Sequence, residues 1–188
     1  MAQISTGIYT DGNGTEYTKY PVARVSKVKD DAHLYDLLDT ANIIKQGANL
    51  VPGEHVDGDL QTRVAKTPAI GDAIVFVCDV PLIYNDATSL DQAEWQFYNR
   101  KGKITKSYEV SKDDVLGVSD YAFTTVVTEG QVPAVGNLVV VDGARGWKEL
   151  AAATDVSAYG FVAKVIGYEK YQFDTVVLFE VQKNTTVA

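Results

Sequence analysis

Glu54, His55, Asp57 and Asp59 are the densest set of metal-ligating side chains in the chain. Alternate residues of an extended segment project to one side, so His55, Asp57 and Asp59 could converge on a cation. A bound metal also needs a complete set of ligands and outer partners that orient them. The sequence displays neither, so a polar surface loop is expected, and no metal or other cofactor is assigned. The stretch Asp11-Gly12-Asn13-Gly14-Thr15-Glu16 imitates a calcium loop, but a matching EF-hand frame requires carboxylates where Tyr9 and Tyr20 stand. Its glycines and asparagine suit a hairpin turn instead.

Covalent catalysis has equally little to work with. Cys78 lies inside an apolar run, residues 73–78, with no activating base nearby, and reads as a reduced, buried small hydrophobe. The only histidines are His33 and His55. Gly117-Val118-Ser119-Asp120-Tyr121 lacks the final glycine of a nucleophile elbow. Asp113 and Asp114 are adjacent, and adjacent carboxylates diverge where a glycosidase needs them to face each other. No glycine-rich phosphate loop is present. These absences point away from an enzyme.

Composition narrows the remaining classes. With 188 residues, 46% hydrophobic and 22% charged, the chain is ordinary globular material of one domain, or one domain plus an arm. A net charge of −8 argues against binding a nucleic-acid backbone, which needs clustered Lys and Arg. No apolar run reaches the length of a membrane-spanning helix, and the first residues lack the pattern of an export signal. The expectation is a protein made in the cytoplasm, with no membrane and no nucleic-acid partner.

Any site must be positioned by elements that are mostly strands. Residues 8–10 and 15–20 predict a hairpin around the 11–14 turn. Leu34, Leu37, Leu38, Ala41 and Ile44 at helical spacing, with Asp30 or Asp31 as cap and Gly47 as stop, predict a helix. Residues 49–58, rich in Pro and Gly, read as a loop and hinge. The expected division is therefore 1–63, an N-terminal arm or subdomain of hairpin plus helix, and 64–188, a β-rich domain. Strands are expected at 73–79, 104–110, 137–142, 147–151, 161–168 and 175–181. A capping-box pattern at Ser89 and Gln92 predicts a short helix over 89–99. Residues 67–72 and 132–137 echo each other, which reads as a shared way to lead into a strand. The resulting class is β-rich (α+β): an antiparallel sandwich or barrel-like domain with one or two short helices.

Residues 80–123 concentrate large aromatics, among them Tyr84, Trp95, Phe97, Tyr98, Tyr108 and Phe123, without gathering reactive groups around them. Aromatics supply buried area and shape rather than reactivity, which suits packing and binding. Within this stretch, Tyr84-Asn85-Asp86, Phe97-Tyr98-Asn99 with Lys101-Gly102-Lys103, Tyr108 and residues 115–119 resemble structural proteins encoded beside the major capsid protein in tailed phages of Gram-positive bacteria. Residues 136–140 and 159–166 resemble a strand lead-in and closing hairpin found in head decoration proteins. The resemblance covers about the last two thirds of the chain, without a catalytic residue to anchor it.

The resemblance implies a non-enzymatic capsid decoration, or cement, protein that sits on the virion surface and stabilises the mature shell. Its partner would be the major capsid protein, with self-association on the shell, a trimer being one form. Contact residues would be exposed aromatic and basic side chains at loop ends: Trp95, Tyr98, Arg100, Lys101, Arg145 and Trp147. Tyr84, Phe97, Tyr108 and Phe123 are expected in the core. A carbohydrate-binding or host-adhesion module, which uses exposed aromatics as sugar platforms, is the alternative, and a tail or neck component is a third reading.

Overall fold

The computed structural model describes residue 3 and residues 7–29, 33–79, 97–171 and 174–187. Sixteen strands dominate these residues. In chain order they are β1 (Ile8–Thr10), β2 (Glu16–Thr18), β3 (Ala23–Lys27), β4 (Leu34–Leu38), β5 (Ile44–Lys45), β6 (Asn49–Val56), β7 (Asp59–Lys66) and β8 (Val75–Val77). There follow β9 (Tyr98–Asn99), β10 (Ile104–Glu109), β11 (Val115–Ser119), β12 (Phe123–Thr125), β13 (Leu138–Val141), β14 (Trp147–Leu150), β15 (Phe161–Tyr171) and β16 (Asp174–Asn184). The expected β-rich sandwich and barrel class is what the chain adopts. Its only described helix is a 3-10 turn, Asp120–Ala122.

Two bodies of sheet share the work. A five-stranded closed barrel runs β10-β4-β7-β6-β8, and a seven-stranded sheet runs β12-β14-β13-β15-β16-β11-β3. The barrel fills with Leu37, Ile44, Ala48, Leu50, Ala65, Val75 and Val77. The sheet buries a larger cluster around Trp147, Phe161, Val177 and Phe179, which Phe76 from β8 joins. β16 shows why these residues make a strand. Val177, Phe179 and Val181 are buried, while Leu178, Glu180 and Gln182, which alternate with them, are not, the period of two that a half-buried strand requires.

The predicted helix over Leu34–Ile44 is replaced by β4, a turn and β5. Within β4 only Leu37 is fully buried, inside the barrel, whereas Leu34 is half exposed. Burial therefore does not follow the helical stripe that the leucines suggested. Asp39 then diverts the chain, its carboxylate accepting the N–H groups of Ala41 at 2.8 Å and Asn42 at 2.9 Å. Such side-chain-to-backbone bonds compete directly with helix formation. Asp30 and Asp31, the expected caps, lie outside the described residues, as does most of the predicted 89–99 helix; its last residues, Tyr98 and Asn99, form β9.

Most of the expected hinge at 49–58 is also a strand, β6, with only Asp57 and Gly58 in the turn that follows. β6 tolerates Pro52 and Gly53 because the β6–β7 ladder slips register between Pro52 and His55, and bulges accept residues that regular ladders exclude. The division expected at 63/64 falls inside β7. Strands from both sides of it share sheets: β4 pairs with β10, and β3 with β11.

The echoed lead-ins do form the same device. Asp72 N–H donates to Ala69 C=O, and Asn137 N–H to Ala134 C=O, each one turn before a strand. The first packs against Gly160, whose N–H donates to Ile70 C=O at 2.9 Å. A Cβ on Gly160 would sit 2.3 Å from the Asp72 carbonyl oxygen, a backbone atom that cannot step aside alone. Gly160→Ala is therefore expected to lower stability by about 3 kcal/mol, measured by urea denaturation.

Candidate partner-binding surface

The turn after β4 organises this end of the molecule. Besides closing its own turn, the Asp39 carboxylate meets Arg145 Nη2 at 2.7 Å, and its backbone carbonyl accepts the Gly102 N–H at 2.8 Å. Two loops distant in sequence, the β9–β10 turn and the β13–β14 hairpin, are thus fastened to one residue. Burial pushes the Asp39 carboxyl up, but hydrogen bonds from Asn42, Arg145 and Ala41 outweigh it and hold the carboxyl below its usual range.

The β13–β14 loop is built on Asp142, whose Oδ1 accepts the N–H groups of Ala144 and Gly146 at 2.7 and 2.9 Å. This winding places Arg145 at φ 72°, a left-handed conformation rare for a residue with a Cβ. The guanidinium spends its donors on Asp39 and, through Nε, on Thr67 Oγ1 at 2.9 Å, while Nη1 is buried without a partner. Arg145 is a fastener of loops, with its side chain 18% exposed.

Trp147 corrects the expectation of a surface contact. It is fully buried, and its Nε1–H donates to Gly47 C=O at 2.7 Å. Large flat side chains favour such sites because they remove the most apolar area from water. Trp95 lies outside the described residues. Phe97 and Phe123 are core as expected; Tyr108 is half-buried, and Tyr84 lies outside the described residues.

Arg100 and Lys101 lie on an exposed turn next to the half-buried Tyr98. Lys103 N–H donates to Arg100 C=O, closing a turn with Gly102 at φ 70°. Arg100, Lys101 and Lys103 all face solvent. β5 pairs with β9, setting exposed Lys45 opposite Tyr98, and the half-buried Tyr98 ring lies 4.6 Å from Tyr20 at a 39° tilt. The result is a basic rim with an aromatic flank on a chain of net charge −8. Sequence reasoning missed Lys45, which only strand pairing brings here, and Lys103, although its spacing from Lys101 across a turn glycine was visible. Behind the rim a cleft of about 780 Å³ runs past Lys45, Gln46, Arg145 and Tyr121.

Three of the groups considered for chemistry, Asp59, Asp11 and Ser119, accept backbone hydrogen bonds. Asp59 Oδ1 accepts the N–H groups of Gln61 and Thr62 at the β6–β7 turn. No group of three His, Cys, Asp or Glu among the described residues is placed to hold a metal. Asp11 Oδ1 likewise closes the first hairpin through Asn13 and Thr15 N–H. Ser119 is fully buried, its Oγ accepting the Val22 N–H at 2.9 Å. No helix among the described residues is long and apolar enough to cross a membrane. No protein-family model matches the chain, and no significant match exists among curated proteins or among solved structures.

Proposed function

We propose that the chain is a capsid decoration protein that binds the major capsid protein on the outside of a tailed-phage shell. The observation carrying this reading is the rim of Tyr98, Arg100, Lys101, Lys103 and Lys45 on an otherwise acidic β scaffold. A basic turn held by strands suits an acidic face on a large, fixed partner, because complementary charge steers docking and sets register. Binding the expanded shell and not its precursor would stabilise the expanded form by mass action. Many copies on one symmetric surface multiply a modest contact into a large total. Net negative charge elsewhere keeps the protein from adhering to packaged DNA.

Purified protein added to shells that lack it should co-sediment at stoichiometric copy number and raise their resistance to heat. The double variant Lys101→Glu/Lys103→Glu should weaken binding about tenfold at low salt and flatten its salt dependence. Binding to cell-wall glycans with none to shells would establish the adhesion reading instead. A copy number of a few per particle would establish a neck component.

A further inference from the structure

We propose that Lys19 and Asp174 form an intramolecular amide bond, making this buried pair a self-modification site. Lys19 follows β2 and Asp174 opens β16, 155 positions away. Their side chains are 6% and 2% exposed, and Lys19 Nζ is in direct contact with Asp174 Oδ1. An ammonium carries three donors. Among the described residues this one meets a single acceptor, Asp174, and the face of the Tyr121 ring 4.8 Å away. A charged pair so enclosed carries a desolvation cost that its mutual attraction offsets only when the remaining donors are met.

Condensation removes that cost. Transfer of one proton from Lys19 to Asp174 leaves a neutral amine against a carboxylic acid. The amine lone pair then attacks Cγ, forming the N–C bond. The C–OH bond breaks, and the hydroxyl leaves as water with the second amine proton. The product is a neutral secondary amide, and the reaction needs no other reactant. Fixed contact between the amine nitrogen and the carboxyl group supplies the proximity such a slow reaction requires. The Tyr121 hydroxyl lies 3.3 Å from Asp174 Oδ2 and 2.7 Å from the Tyr20 carbonyl. Burial, and then the charge of Asp174, push the Tyr121 hydroxyl far up, so it stays protonated. By turning its single O–H from the Tyr20 carbonyl to Asp174 Oδ2, it can donate to the oxygen on which negative charge develops.

The intact mass of the full chain, measured after denaturation, tests this. The expected result is a mass one water below that of the sequence, with proteolysis yielding a joined peptide containing Lys19 and Asp174. Asp174→Asn should lose ammonia in place of water, and Asp174→Ala should show its full sequence mass. Wild-type protein at full sequence mass after prolonged incubation in the folded state overturns the proposal, however the variants behave. A water loss that maps to any other residue overturns it as well.

Discussion

Replacing Trp147 with alanine is expected to lower folding stability by about 4 kcal/mol. The indole is fully buried between the barrel and the seven-stranded sheet. Its ring lies 6.1 Å from Phe76, 5.3 Å from Phe161 and 5.2 Å from Phe179. Removing it leaves a cavity walled by rings that strands hold in place, so collapse is limited. The Gly47 carbonyl also loses its Nε1–H partner in a site closed to water. The neighbourhood has no slack elsewhere, since a Cβ on Gly47 would fall 2.4 Å from Val118 Cγ2. Trp147→Phe restores most of the area and none of the hydrogen bond, and should cost about 2 kcal/mol. Urea denaturation of the pair checks both values. Equal midpoints for wild type and Trp147→Ala would contradict the packing described for this residue.

Asp39→Ala should cost about 3 kcal/mol and release Arg145 and the turn at Ala41 and Asn42, while the Asp39 carbonyl keeps its bond from Gly102. The substitution leaves Arg145, largely buried, without its carboxylate, and removes the acceptor for Ala41 and Asn42 N–H. Breaking a pair by deleting one member is costly because the other charge stays behind. The Asp39 carboxyl is held below its usual range, so the folded state favours its ionised form. A group lowered on folding contributes stability that is present above the unfolded value, and that stability fades as pH falls through the folded one. Relative to Asp39→Asn, wild type should therefore lose its advantage on acidification below about pH 4. Denaturation midpoints for both proteins from neutral pH downward measure this, and a difference independent of pH would count against it.

These expectations also show which parts of the fold were readable in the sequence. Local signals were sound where a strand alternates, as in 175–181, or where a turn carries its own chemistry, as at Asp11. The segment 34–44 misled because three leucines within five positions fit a helical stripe as well as a strand wrapped into a barrel. Only the barrel decides that Leu37 points inward while Leu34 is left half exposed. Pro52 and Gly53 suggested a hinge because a bulge cannot be seen without its partner strand. The surface residues divided by the same logic. Arg100 and Lys101 were legible from a charged turn, whereas Trp147 and Arg145 depended on the barrel lying against the β13–β14 hairpin.

The interlacing of early and late strands has a consequence for the chain as it is made. The barrel cannot close until β10 has been added beside β4 and β8. β3 likewise waits for β11, which itself pairs with β16 near the other end. Both the β4–β7 and the β12–β14 ladders are parallel, pairings that never form by simple hairpin closure. Folding dominated by such distant pairings is slow, in the range of milliseconds to seconds. During synthesis the first half would stand with apolar strands exposed and their ladders unmet. A chaperone that shields strands, or a low synthesis temperature, should therefore raise the soluble yield of this protein more than any change to its mature surface.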